Sequence, residues 1–86
     1  MVRFTLKQIA YFVATAEQGS VADAARALNI SQPSVSLAIG KLEAHFGVQL
    51  LLRHHAQGVS LTSAGRRLLV EARNLLAYAE ELDDQA

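Results

Sequence analysis

The sequence has no cysteine among its 86 residues. That excludes a disulfide frame and a thiolate metal site, and permits a reducing interior. No apolar run approaches the roughly eighteen residues of a membrane span, and Met1 to Leu6 lacks the charged and apolar regions of a signal peptide. A soluble, cytoplasmic chain with no membrane association is expected. Internal repeats, low-complexity tracts and flexible linkers are also missing. Net charge is zero, with eight Lys and Arg against eight Asp and Glu, and taken as one number this argues mildly against a nucleic-acid partner. What is plentiful is apolar surface: 51% of the residues make one compact domain near the lower size at which a core holds without staples.

The distribution of charge points the other way from its sum. Four of the eight acids, Glu80, Glu81, Asp83 and Asp84, lie in the last seven residues, so Met1 to Ala79 carries eight basic against four acidic groups. Arg53, Arg66, Arg67 and Arg73 share one stretch, whereas Glu17, Asp23, Glu43 and Glu71 are scattered. A basic body with an acidic tail suits an anionic partner.

Periodicity divides the chain into helix, helix, helix, hairpin and long helix. Leu6, Ile9, Ala10, Phe12, Val13 and Ala16 fall at helical spacing, with Thr5 to cap and Gly19 to end a first helix over about 5–18. Ser20 caps a second, with Asp23 placed for a capping box and Val21, Ala24, Ala25 and Leu28 as its apolar stripe. Asn29 and Ile30 form a turn. Ser31 caps a third helix from Gln32, and the only proline, Pro33, sits in the first turn, where a missing N–H costs nothing. Val35, Ile39, Leu42 and Phe46 build its buried stripe, and Gly47 closes it.

Leu50 to Arg53 and Val59 to Leu61 read as short strands, joined through His54, His55, Ala56, Gln57 and Gly58. From the cap at Thr62 a long helix runs to near Asp84, with Leu68, Ala72, Leu75, Ala79 and Leu82 spaced by four and three as a heptad seam. About twenty-three residues reach some 35 Å, more than the small body covers, so an exposed leucine seam calls for a partner helix. Leu68 and Leu69 are expected to lie partly against the body, and the later leucines in a dimer.

The third helix opens with serines and a glutamine. Base edges lie at the floor of the major groove, so a reading helix needs a narrow leading end that carries donors and acceptors. Its N-terminal N–H groups and dipole also favour a phosphate. Each serine alone is explained as a cap or a solvated face. The helix lengths, tight turn, apolar register, polar tip and following hairpin together point to a winged helix-turn-helix.

The stretch "SVADAARALNISQPSVSLAIGKLEAHFGVQLLLRHHAQGVSLTSAGRRLL" resembles the amino-terminal DNA-binding domain of LysR-type transcriptional regulators. The "AA..L..SQP..S..I..LE...G..L" run from Ala24 to Leu50 and the "R......LT.AG" run from Arg53 to Gly65 carry the resemblance. It implies a mainly α winged helix-turn-helix over 1–62 and a linker helix over 63–86 that pairs with its twin. Gln32, Pro33, Ser36 and Leu37 then meet bases; Ser31, Ser34 and Lys41 lie nearer the backbone. The resemblance puts Arg53 at the minor groove or phosphates, makes Thr62 the linker cap beside the DNA backbone, and brings Arg66 and Arg67 near the duplex. The implied partner is double-stranded DNA carrying an interrupted inverted repeat, bound by a homodimer, with tetramers a matter for the full-length protein. No cofactor is expected in this chain; a small-molecule effector belongs to a following domain that the chain does not contain.

Two departures stand out. Many members carry a long basic or amide side chain near Leu37 and Gly40, so hydrogen-bonded readout is thinner here and apolar contact with a thymine methyl takes its place. Leu51 replaces a usual phenylalanine and keeps an apolar anchor.

Other chemistries fare worse. His45, His54 and His55 offer no tetrahedral metal set, since neighbours on a strand face opposite ways. No G-x-S-x-G elbow exists, and no catalysis is expected. Glu43 is assigned to structure, pairing with Arg26 or Lys41. The competing class is a protein-binding adaptor whose long helix only oligomerises; it lacks the steep salt dependence and sequence preference of a DNA reader. A different winged-helix repressor family does not account for the "LT.AG" start of the linker helix.

Overall fold

The computed structural model describes residues 1–56 and 58–85. The order is α1 (Leu6–Gln18), α2 (Val21–Leu28), α3 (Gln32–Phe46), β1 (Leu51–His54), β2 (Gly58–Leu61) and α4 (Ser63–Asp84). This is a winged helix-turn-helix with a long fourth helix. The helices begin where side-chain oxygens satisfy first-turn N–H groups: Thr5, Ser20, Ser31 and Thr62 each accept from the residue three positions on. The full capping box is at Thr5 and Gln8. At Ser20 only the forward half forms, because the Asp23 carboxylate turns to Arg26.

Ile9 and Phe12 of α1, Ala24 and Ala25 of α2, and Val35, Ile39 and Leu42 of α3 meet in one core. Each large side chain among them contributes about 2 kcal/mol by burial. Alanines on α2 let it lie close to its neighbours. The turn into α3 is tight: Asn29 adopts φ 58, and the N–H of Ile30 donates to the Ala25 carbonyl at 3.0 Å. Asparagine tolerates this left-handed conformation better than other non-glycine residues.

Phe46 departs from the expected stripe. It is 40% exposed and packs against Phe4 and His45 at centroid distances of 5.8 and 4.8 Å. It is the last residue of α3, beyond the reach of the three-helix core. Ala38 takes a place in the buried face instead.

The hairpin pairs Leu51 with Leu61 and Arg53 with Val59. Its first strand starts at Leu51 rather than Leu50, and Gln57, expected in the connection, lies outside the described residues. The wing is pinned to the α1–α2 turn by the Val59 N–H, which donates to the Gly19 carbonyl at 2.9 Å. Gly58 makes that approach possible: its φ is +81, and a Cβ there would stand 2.1 Å from the Gly19 oxygen.

Glu43 forms a different bond from the expected ion pair with Arg26 or Lys41. Its Oε2 accepts from the N–H groups of Leu50 (2.8 Å) and Leu51 (3.3 Å), which clamps the root of the wing onto α3. The first half of α4 belongs to the body: Leu69 and Ala72 are buried, and Leu68, Leu75 and Leu76 pack on the core. Ala72, expected in the dimer seam, is 1% exposed and has no surface left for a partner.

Candidate nucleic-acid interface

Four side chains at the front of α3, Ser31, Gln32, Pro33 and Ser34, are exposed, and Ser36 is half-buried. The tip is built by its own chemistry. Ser31 accepts from the Ser34 N–H at 3.2 Å, and the two hydroxyls meet at 2.7 Å. Val35, Ile39 and Leu42 anchor the opposite side of the helix in the core, so the small polar end projects outward on a rigid stem. Leu37, 61% exposed, and the exposed Lys41 stand on the outward side.

Helix α1 adds groups that sequence reasoning missed. Lys7 and Tyr11 face Ser34, Leu37 and Lys41 across an open cleft of about 320 Å³. Two ammonium groups beside the tip make a field that attracts phosphate. Lys7 lies off the apolar stripe of α1, which shows only that it avoids the core. Its position next to α3 depends on how the two helices cross.

Arg53 is exposed on β1, opposite Val59. Beside it His54 Nε2 and Ser60 Oγ are 2.7 Å apart across the hairpin. Arg66 donates to the Leu61 carbonyl at 3.3 Å and Arg67 to the Ser63 hydroxyl at 3.1 Å, which fixes both near the junction of wing and α4. Among the described residues the ion pairs are Arg26 with Asp23 and Arg73 with Glu17. Lys7, Lys41, Arg53, Arg66 and Arg67 have no carboxylate partner there, so the positive charge of the reading elements is not neutralised internally.

Thr62 caps the linker helix as expected, and its hydroxyl also bonds within the protein. Its hydroxyl donates to the carbonyls of Gln49 (2.6 Å) and Leu50 (3.2 Å) and accepts from the Gly65 N–H (3.0 Å). With its side chain committed on both counts, Thr62 is a joint between α4 and the segment that enters β1. Further along α4, Leu75 and Ala79 are half-buried, while Leu82 is 60% exposed and Tyr78 is exposed beside them. No group of three or more His, Asp or Glu able to hold a metal occurs among the described residues. No described helix is long and apolar enough to cross a membrane.

Residues 6–66 match the family model described as bacterial regulatory helix-turn-helix protein, lysR family. The transcriptional regulator TfdS of Cupriavidus pinatubonensis is 53% identical over 80 residues, covering 93% of this chain and 27% of that protein. The chain thus spans about a quarter of the length of such relatives. Among solved structures, the CbnR DNA-binding domain in complex with DNA superposes with a TM-score of 0.89 at 42% identity, covering 94% of this chain and 92% of that one. The BenM DNA-binding domain on benA site 1 DNA gives 0.87 at 34% identity, over 94% and 93%.

Proposed function

The chain belongs to the LysR family of bacterial regulatory helix-turn-helix proteins, and from that premise we propose that it is a sequence-specific reader of double-stranded DNA in a cytoplasmic transcriptional regulator. One observation carries the reading: the polar tip of α3 stands outside the core on a buried stem, with cations lacking carboxylate partners around it. The relatives solved with DNA share this fold.

Gln32, Pro33, Ser36 and Leu37 enter the major groove and meet base edges. Ser31, Ser34 and Lys41 lie along the backbone, joined by Lys7 across the cleft. Arg53 reaches the minor groove or phosphates from the wing, and Arg66 and Arg67 contact phosphate from the start of α4. No bond is made or broken; the chemistry is recognition alone. The distal part of α4 pairs with its twin through Leu82, Ala79 and Leu75, since exposed apolar side chains on a solvated helix end gain by burial. A dimer presents two tips to an interrupted inverted repeat. A small-molecule effector acts through sequence beyond this stretch.

The test is a retardation titration on duplexes selected from a random pool. With about ten phosphate contacts per dimer, five from each protomer, affinity falls about a hundred-thousand-fold between about 50 and about 200 mM salt, and selected duplexes outcompete random ones. Affinity that ignores both salt and sequence defeats the reading in favour of a protein-binding adaptor.

A further inference from the structure

Pro33, Leu37, Gly40 and Ala44 recur at intervals of four, three and four, which places them on one line along α3. All four are exposed, and the line runs opposite the buried Val35, Ile39 and Leu42. The outward ridge of the reading helix therefore carries no hydrogen-bonding side chain. Ser36 and Gln32 flank it on one side, Lys41 and Ser34 on the other.

Gly40 is the informative member. A glycine in mid-helix weakens the helix relative to alanine, and this one has nothing within 4 Å of where its Cβ would be, with no positive φ to require it. Nothing inside the protein calls for a missing side chain there. A surface outside the protein that came close to the helix axis would. Leu37, one turn earlier and 61% exposed, lies beside that gap.

We propose that Leu37, with Gly40 opening room next to it, reads the C5-methyl group of a pyrimidine in each half-site. This rests on the DNA-reading assignment above and names what part of the base is recognised. In the major groove the methyl of thymine projects toward the protein, and Leu37 offers apolar contact with no donor or acceptor. Leu37 therefore responds to the methyl group and is indifferent to the O4 or N4 beside it. Thymine and 5-methylcytosine satisfy it; uracil and cytosine do not.

The experiment uses the 86-residue chain and duplexes of its selected site, replacing each thymine in turn by uracil. At one position per half-site the loss is about four-fold, the value of one buried methyl group. Placing cytosine and then 5-methylcytosine at that position gives a gain of similar size on methylation. Leu37→Ala, a change at an exposed site that leaves the unfolding transition in place, erases both differences. Gly40→Ala raises the unfolding midpoint yet weakens binding to the selected site. The proposal is overturned if no thymine shows the methyl effect, if Leu37→Ala keeps it, or if Gly40→Ala binds as tightly as the parent. Absence of any sequence preference, by contrast, overturns the DNA-reading assignment itself.

Discussion

The tip of α3 and the root of the wing are made from similar residue types and use them in opposite ways. At the tip, serine hydroxyls meet each other at the surface and keep acceptor capacity for an outside partner. At the root, the Glu43 carboxylate and Thr62 hydroxyl spend theirs on backbone groups of Gln49, Leu50, Leu51 and Gly65. Leu50, at the centre of that knot, is 1% exposed, so water cannot replace a lost partner. Polar side chains at the tip are free to serve recognition; those at the root hold the geometry on which recognition depends.

The root should therefore break first. A Cβ on Gly65 would stand 2.1 Å from the Leu50 carbonyl oxygen and 3.1 Å from Leu61 Cδ2. The nearer obstacle is backbone, which cannot rotate away, so α4 must move off the segment that enters β1. Gly65→Ala is expected to cost about 3 kcal/mol, the upper range for overpacking, read from denaturant unfolding. A loss under about 0.5 kcal/mol would show that the root is loose and erase the contrast with the tip.

Next comes Glu43. Glu43→Ala leaves the N–H groups of Leu50 and Leu51 without their acceptor, an expected loss of about 2 kcal/mol. Glu43→Gln keeps one oxygen able to accept and should lose roughly half as much, since hydrogen bonds to an ionised acceptor are about twice as strong as neutral ones. Equal losses in the two variants would mean that charge, not the clamp geometry, is what matters.

At the tip the same kind of change should spare the fold and alter binding. Gln32→Ala is expected to shift stability by less than about 0.5 kcal/mol and to lower discrimination at one base pair by about 1–3 kcal/mol. Arg53→Ala should weaken binding to all duplexes alike and reduce the salt slope by about two, one for each protomer of the dimer. A panel of sites titrated with both variants separates the roles, and parallel losses across the panel would dissolve the distinction.

These two regions also differ in how far the sequence discloses them. The tip is legible because its signals are local: Ser31 and Ser34 are three apart, and Pro33 fits only a first turn. All four helix starts follow from the same short-range chemistry at Thr5, Ser20, Ser31 and Thr62. The root is not legible. Glu43 reaches Leu50 across seven residues and the left-handed turn at Gly47, and no periodicity in the sequence encodes that bond. Lys41 and Arg26 offer it a nearer ion pair on paper, which the fold does not make. Ala72 misleads for a related reason. A heptad spacing identifies a stripe but not which neighbour covers it, and here α1 takes the first turns of α4.

The joint between α1 and α4 carries the smallest expected effect. Arg73 Nε donates to Glu17 Oε2 at 3.1 Å, with both side chains about half exposed. On the same helix as Arg73, Leu69 and Ala72 are buried against the core. Solvent screens the pair and its two flexible side chains lose entropy on pairing, so Arg73→Ala should cost less than about 0.5 kcal/mol. Any effect of salt on the apolar contact is common to both proteins, whereas the pair exists only in the parent and is screened. Unfolding of Arg73→Ala and the parent, compared at low and at about 1 M salt, should show a difference that vanishes as salt rises. A persistent loss near about 2 kcal/mol, well above the range of exposed pairs, would place the α1–α4 joint in the ion pair rather than in the apolar surface, and would make the first half of α4 as dependent on polar chemistry as the wing root is.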